Sequence, residues 1–186
     1  IWSRSALKSS FSALRDAAFG ERDMLRNDLA RQFAFLDEND DTRAAIRNQY
    51  DIRIQRPSDR LGAHVSAAFV AQTIKTGMAQ FISARLPGGG DTHGSGNRVH
   101  ATSLSNGLDA LARLVHDLQT SSSPLGGSWL DHTTICVFSE FARTPTFNAQ
   151  GGRDHHFTNS CLLIGAGIRG GRVAGASSEI GMLPVT

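Results

Sequence analysis

A chain of 186 residues is long enough for one domain with a real core and too short for two large ones. Nineteen Lys and Arg against seventeen Asp and Glu leave a net charge of +2, and all the basic residues but Lys8 and Lys75 are arginines scattered without a dense patch. That balance argues against nucleic acid as a partner. No apolar stretch approaches the ~20 residues of a membrane span. The chain opens on Ile1 and stops at Leu183-Pro184-Val185-Thr186 without a closing helix, which reads as a fragment of a longer protein.

Residues 1–56 are polar and helical in tone. Leu25, Leu29, Phe33 and Leu36 recur at spacings that place them on one helix face. The acidic run Asp37-Glu38-Asn39-Asp40-Asp41 suits a cap for the next helix. It lacks the central Gly and terminal Glu of an EF-hand calcium loop. We read this part as a helical insert or cap segment, and residues 57–186 as part of an α/β domain, with the break at Pro57-Ser58.

Leu61 to Thr76 is rich in small residues (Ala63, Ala67, Ala68, Ala71), as expected of a helix packing closely on a sheet, with Gly77 closing it. Met78 to Ala84 reads as a strand, ended by Pro87-Gly88-Gly89-Gly90 and followed by Asp91-Thr92-His93. An amphipathic helix is expected over about 99–119, with Leu104, Leu108, Leu111, Leu114, Val115 and Leu118 as its stripe. Thr133-Thr134-Ile135-Cys136-Val137-Phe138 and Cys161-Leu162-Leu163-Ile164-Gly165 are continuous apolar runs. Such runs suit parallel strands buried on both faces, and Cys136 and Cys161 then read as small core hydrophobes. Strand, helix, strand would form a right-handed βαβ unit. Asp91 and His93 would then share a sheet edge with Glu140 and Arg143, where open α/β folds place their ligands.

The chemistry of these loops points to a divalent metal. Asp91, His93, Glu140, Asp154 and His155 offer carboxylate oxygen and imidazole nitrogen, donors suited to zinc or manganese, and hard carboxylates extend the choice to calcium. Such ions clamp the attacking and leaving oxygens in phosphoryl or sulfuryl transfer. Arg143 and Arg153 could hold a tetrahedral anion by bidentate hydrogen bonds. Taken singly, each residue also has a plain structural role: an Asx-turn or helix cap at Asp91, a Glu140–Arg143 salt bridge, an Arg153–Asp154 ion pair. Their grouping favours a shared site. His64, His100, His116 and His132 have no convergent partner.

The motifs Asp91-Thr92-His93, Ser139-Glu140-Phe141-Ala142-Arg143-Thr144-Pro145 and Gly151-Gly152-Arg153-Asp154-His155, in that order, resemble an uncharacterised, sulfatase-like family in the alkaline phosphatase superfamily. The tail Gly165 to Gly175 fits the same pattern, and the resemblance covers about residues 61–186. It implies the C-terminal part of a doubly wound, mainly parallel α/β sandwich. It also implies metal ligands at the strand ends, a small-molecule ester substrate, and a nucleophile and first metal aspartate in an N-terminal half outside this chain. Many members carry a twin-arginine signal, which implies an exported, periplasmic protein. Where the wider superfamily has an Asp-His metal pair, this chain has Glu140-Phe141, so one imidazole is absent. Ala142 stands where glycine is usual, and Gly90 where an aromatic is common. The function so implied is a metal-dependent hydrolase of sulfate or phosphate esters, carrying half of its active site. The alternative is a non-catalytic exported module with a structural or anion-binding role.

Overall fold

A computed structural model describes residues 32–37, 39–55, 62–86, 90–94, 96–179 and 182–185. Leu25, Leu29 and the Pro57-Ser58 break lie outside them. Short 3-10 turns at Ala34–Leu36 and Asp41–Arg43 lead into helix α1 (Ala44–Gln49), followed by α2 (Ala63–Lys75) and α3 (Asn97–Thr120). A 3-10 turn at Trp129–His132 then precedes β1 (Thr134–Val137), β2 (Ala142–Arg143), β3 (His155–His156), β4 (Leu162–Gly165), β5 (Ala176–Ser177) and β6 (Pro184–Val185).

The small residues of α2 explain its packing. Ala67, Ala68 and Ala71 are fully buried, and without long side chains on that face the helix lies close against α3. Its neighbour in the structure is a helix, where the sequence suggested a sheet. Gly77, at φ +69°, lets the chain turn out of α2: Met78 N–H reaches the Thr73 carbonyl at 3.1 Å and Gly77 N–H the Ile74 carbonyl at 3.0 Å. This is the paired Schellman closure that glycine favours. On α3 the buried stripe is Gly107, Ala110, Leu111, Leu114, Asp117 and Leu118, whereas Leu104 and Leu108 are exposed. The apolar spacing therefore marks the helix correctly but overstates how much of it is covered.

Phe35, Tyr50 and Ile52 share one core with α2 and α3, and Phe33, Leu36 and Phe69 pack against it. The Phe33 and Phe69 rings stack at 5.2 Å, and Phe35 meets Phe69 edge-on at 4.9 Å. The core has a polar centre. Asp117 on α3 accepts hydrogen bonds from Tyr50 Oη (2.7 Å), Lys75 Nζ (2.5 Å) and Ser121 Oγ (3.0 Å). Burial pushes the Asp117 carboxyl up, but the hydrogen bonds from Lys75, Tyr50 and Gln49 outweigh it and hold the group below its usual range. Burial, reinforced by Asp117, pushes the Tyr50 hydroxyl far up, so it stays a neutral donor.

The strands correct the sequence reading most. Among the described residues there are three two-stranded antiparallel ladders, β1–β4, β2–β3 and β5–β6, and no parallel pairing. Residues 78–84 form no strand, with bends at Met78 and Gln80, and Phe81 is almost fully exposed, so the βαβ unit is not made. Ile135 pairs with Ile164 and Cys136 with Leu163 in the β1–β4 ladder. Ile135 packs toward the core, whereas Cys136, Cys161, Leu162 and Leu163 are exposed. A continuous apolar run thus does not guarantee burial on both faces. Both thiols of the native chain should accordingly react with Ellman's reagent without denaturant. Two thiols that react only after unfolding would place these strands back in a core.

Candidate functional site

β1 and β4 clamp the base of a long connection that carries most of the site. Within it, β2 and β3 pair Arg143 with His155 and Ala142 with His156. The intervening loop closes on itself through Thr144, whose N–H donates to the Asp154 carbonyl (3.0 Å) and whose Oγ1 accepts from Asp154 N–H (3.1 Å). The segment 91–93 docks onto this loop. Arg153 N–H donates to the Thr92 carbonyl (3.0 Å), and the Asn148 amide to the His93 carbonyl (3.0 Å). Gly152 makes the close approach feasible: a Cβ there would stand 2.0 Å from the His93 carbonyl oxygen and 2.3 Å from that of Thr92.

Docking brings five of the sequence-selected residues together. His93 Nδ1 lies 2.8 Å from Asp154 Oδ1, and His93 Nε2 lies 3.9 Å from Asp91 Oδ1. Arg143 places one guanidinium nitrogen 3.2 Å from Asp91 Oδ1 and another 3.0 Å from the Arg153 carbonyl. His155 stacks on Phe141 at 3.8 Å and tilts against His93 at 4.7 Å, while Arg143 lies over the Phe141 ring at 5.3 Å from its centroid. The Asn148 amide, then His93, hold the Asp154 carboxyl below its usual range. An ionised Asp154 can only accept, so the His93 Nδ1 that faces it donates, and Nε2 is left on the side of Asp91.

Arg153 is tied into the scaffold. Nε donates to Asn97 Oδ1 (3.0 Å) and one terminal nitrogen to the carbonyls of Thr144 (2.8 Å) and Pro145, while the guanidinium covers Phe147. Three of its five N–H groups are thereby engaged, and an external anion would meet only the other terminal nitrogen. Glu140 is exposed on the turn between β1 and β2, and no hydrogen bond ties it to the other site residues described. Two of the four histidines set aside meet a partner elsewhere: His64 Nε2 lies 3.0 Å from Asp109 Oδ2, between α2 and α3, and His132 Nε2 lies 2.7 Å from the Gly126 carbonyl.

Sequence reasoning missed Asn148, Gly152 and Thr92. Thr92 is 2% exposed, and its Oγ1 has no hydrogen-bond partner among the described residues. Asn148 beside Ala149-Gln150-Gly151 carried only a turn signal, and nothing in the spacing shows which chain segment its amide meets.

The described part is thus a mixed α/β protein whose short antiparallel ladders hold an Asp–His–Asp–Arg cluster near the surface. The sequence pattern of DUF1501, a protein family of unknown function, matches residues 5–186, and the chain belongs to that family. The match reaches well beyond the motif-bearing stretch 61–186. Comparison with curated proteins and with solved structures gave no match.

Proposed function

We propose that the chain is the metal-binding C-terminal part of a sulfatase-like hydrolase of sulfate or phosphate esters. One observation carries this reading. Asp154 orients His93 through Nδ1 so that Nε2 faces the Asp91 carboxylate, which is how histidine ligands of metal sites are commonly held. The donors fit zinc or manganese in kind, although among the described residues no three His, Cys, Asp or Glu side chains surround one point. His93 and Asp91 are accordingly the first pair of donors, His155 beside them a further one, and Asp154 the partner that orients His93.

A bound divalent ion would polarise the ester and favour ionisation of its attacker. The chain's own residues do the rest. Arg143, only 10% exposed, neutralises Asp91, which is 82% exposed and can swing away to a cation at little cost, as exposed ion pairs are weak. Arg143 released from Asp91 then has a terminal nitrogen for the charge of the transferred group. The attacking nucleophile and a further aspartate are supplied, on the family resemblance, from outside these 186 residues, and the same resemblance suggests export to the periplasm.

Titration of zinc and manganese into the chain tests this reading. His93→Ala and Asp91→Ala should each reduce affinity by more than the ~10–100-fold lost when an outer partner is removed. Unchanged affinity in both variants would remove these residues from any metal site. The second reading, a non-catalytic module, is favoured by Phe141, whose ring covers His155 where a ligand imidazole would stand on the family resemblance. Wild-type protein that binds neither ion would support it.

A further inference from the structure

We propose that Asn148 is the positioning residue of this site, acting through Asp154 to decide which nitrogen of His93 faces outward. Its amide group is fully used. Nδ2 donates to Asp154 Oδ1 (2.9 Å) and to the His93 carbonyl (3.0 Å), while Oδ1 accepts from the N–H groups of Gly152 (2.9 Å) and Gln150 (3.0 Å). That exhausts two N–H groups and two lone pairs. The orientation of the amide is therefore determined: a flipped amide would set NH2 against two N–H donors and oxygen against a carboxylate and a carbonyl.

One side chain thus grips His93 at both ends, at its backbone carbonyl and, through Asp154, at its ring. The Asn148 hydrogen bond fixes Asp154 Oδ1, which lies 2.8 Å from His93 Nδ1, and an acceptor held there favours a proton on Nδ1. Without the amide, the carboxylate loses the anchor that holds it against Nδ1, and the ring loses the fixed acceptor that favours one tautomer. Asn148 touches no reacting group itself. The importance of Nε2 as a donor rests on the metal-site reading above, whereas the control of the tautomer does not.

The test uses the 186-residue chain with two readouts: the 15N shifts of the His93 imidazole at a fixed pH where it is neutral, and zinc affinity by calorimetry. Asn148→Asp retains the acceptor for Gly152 and Gln150 and replaces the donor with a second carboxylate. With helical content unchanged, it should turn His93 from predominantly Nδ1–H to a mixture, and weaken zinc binding by ~10–100-fold. The double variant Asn148→Asp with Asp154→Asn removes the repulsion between carboxylates and presents an N–H to His93. It should fold even where the single variant does not, and should shift the proton to Nε2. An unchanged tautomer in both variants overturns the proposal, and if zinc still binds wild type, the metal reading survives that failure. A tautomer that responds in protein that never binds zinc would uphold Asn148 and remove the metal.

Discussion

Gly152→Ala should abolish zinc binding while leaving the helical core folded. The new Cβ would sit 2.0 Å from the His93 carbonyl oxygen and 2.3 Å from that of Thr92, distances at which backbone must move. Reaching ordinary contact requires the segment 91–93 to retreat by more than ~1 Å, which breaks hydrogen bonds whose useful range ends near ~3.2 Å. Those bonds, Arg153 N–H to Thr92 and Asn148 to His93, are what dock the Asp91/His93 half of the site on the Arg143/Asp154 half. Overpacking of this kind costs about 1–3 kcal/mol, which the core can absorb. Circular dichroism should therefore be unaltered and zinc calorimetry flat. Undiminished zinc affinity would show that docking of the two segments does not build the site.

Asp117→Ala should have the largest effect on stability, about 3 kcal/mol, or a fall in melting temperature of roughly 6–12 °C for a chain of this size. The substitution strands the buried Tyr50 hydroxyl and removes the counter-ion of Lys75, which is 22% exposed and so keeps part of its hydration. Because the folded-state carboxyl lies below its usual range, Asp117 binds protons less readily in the folded chain than in the unfolded one. Its contribution is complete above the ordinary aspartate range near pH ~4 and is lost as pH falls through the lowered folded value. Thermal melts should thus show wild type and variant separated by a constant gap above about pH 4 and converging as pH falls below it. Parallel curves throughout would mean that Asp117 does not carry this linkage.

The two predictions touch parts of the molecule that were unequally legible. α2 and α3 could be read because small and apolar residues recur at helical spacing, and Gly77 ends α2 where a left-handed turn is required. Asp91, His93, Arg143, Asp154 and His155 could be picked out because ligand-type side chains crowd into loops beside apolar runs. The partners of those runs could not. Strand direction depends on which distant segment lies alongside, and the residues 134–137 look alike whether they face a parallel neighbour or the antiparallel Leu162–Gly165. The same limit hid Asn148 and Gly152, whose roles come from segments more than fifty residues away, at Thr92 and His93. Arg153 shows the reverse difficulty: its charge suggested substrate, yet three of its donors brace the loop that presents Asp154.

The β1–β4 ladder has a consequence for how a molecule gains access to the cluster. By pairing Val137 with Leu162 it holds the two ends of the intervening loop together, and β2–β3 ties the loop again nearer its tip. The chain entropy of closing that loop is therefore met by backbone pairing before any ligand is bound. Arg143, Asp154 and His155 stay in register as one wall, whereas Asp91 and His93 reach it from a separate stretch held by a handful of hydrogen bonds. The wall is fixed by backbone pairing and the 91–93 segment by its docking bonds alone, so a change that removes those bonds parts Asp91 and His93 from the wall, on the side where α3 begins.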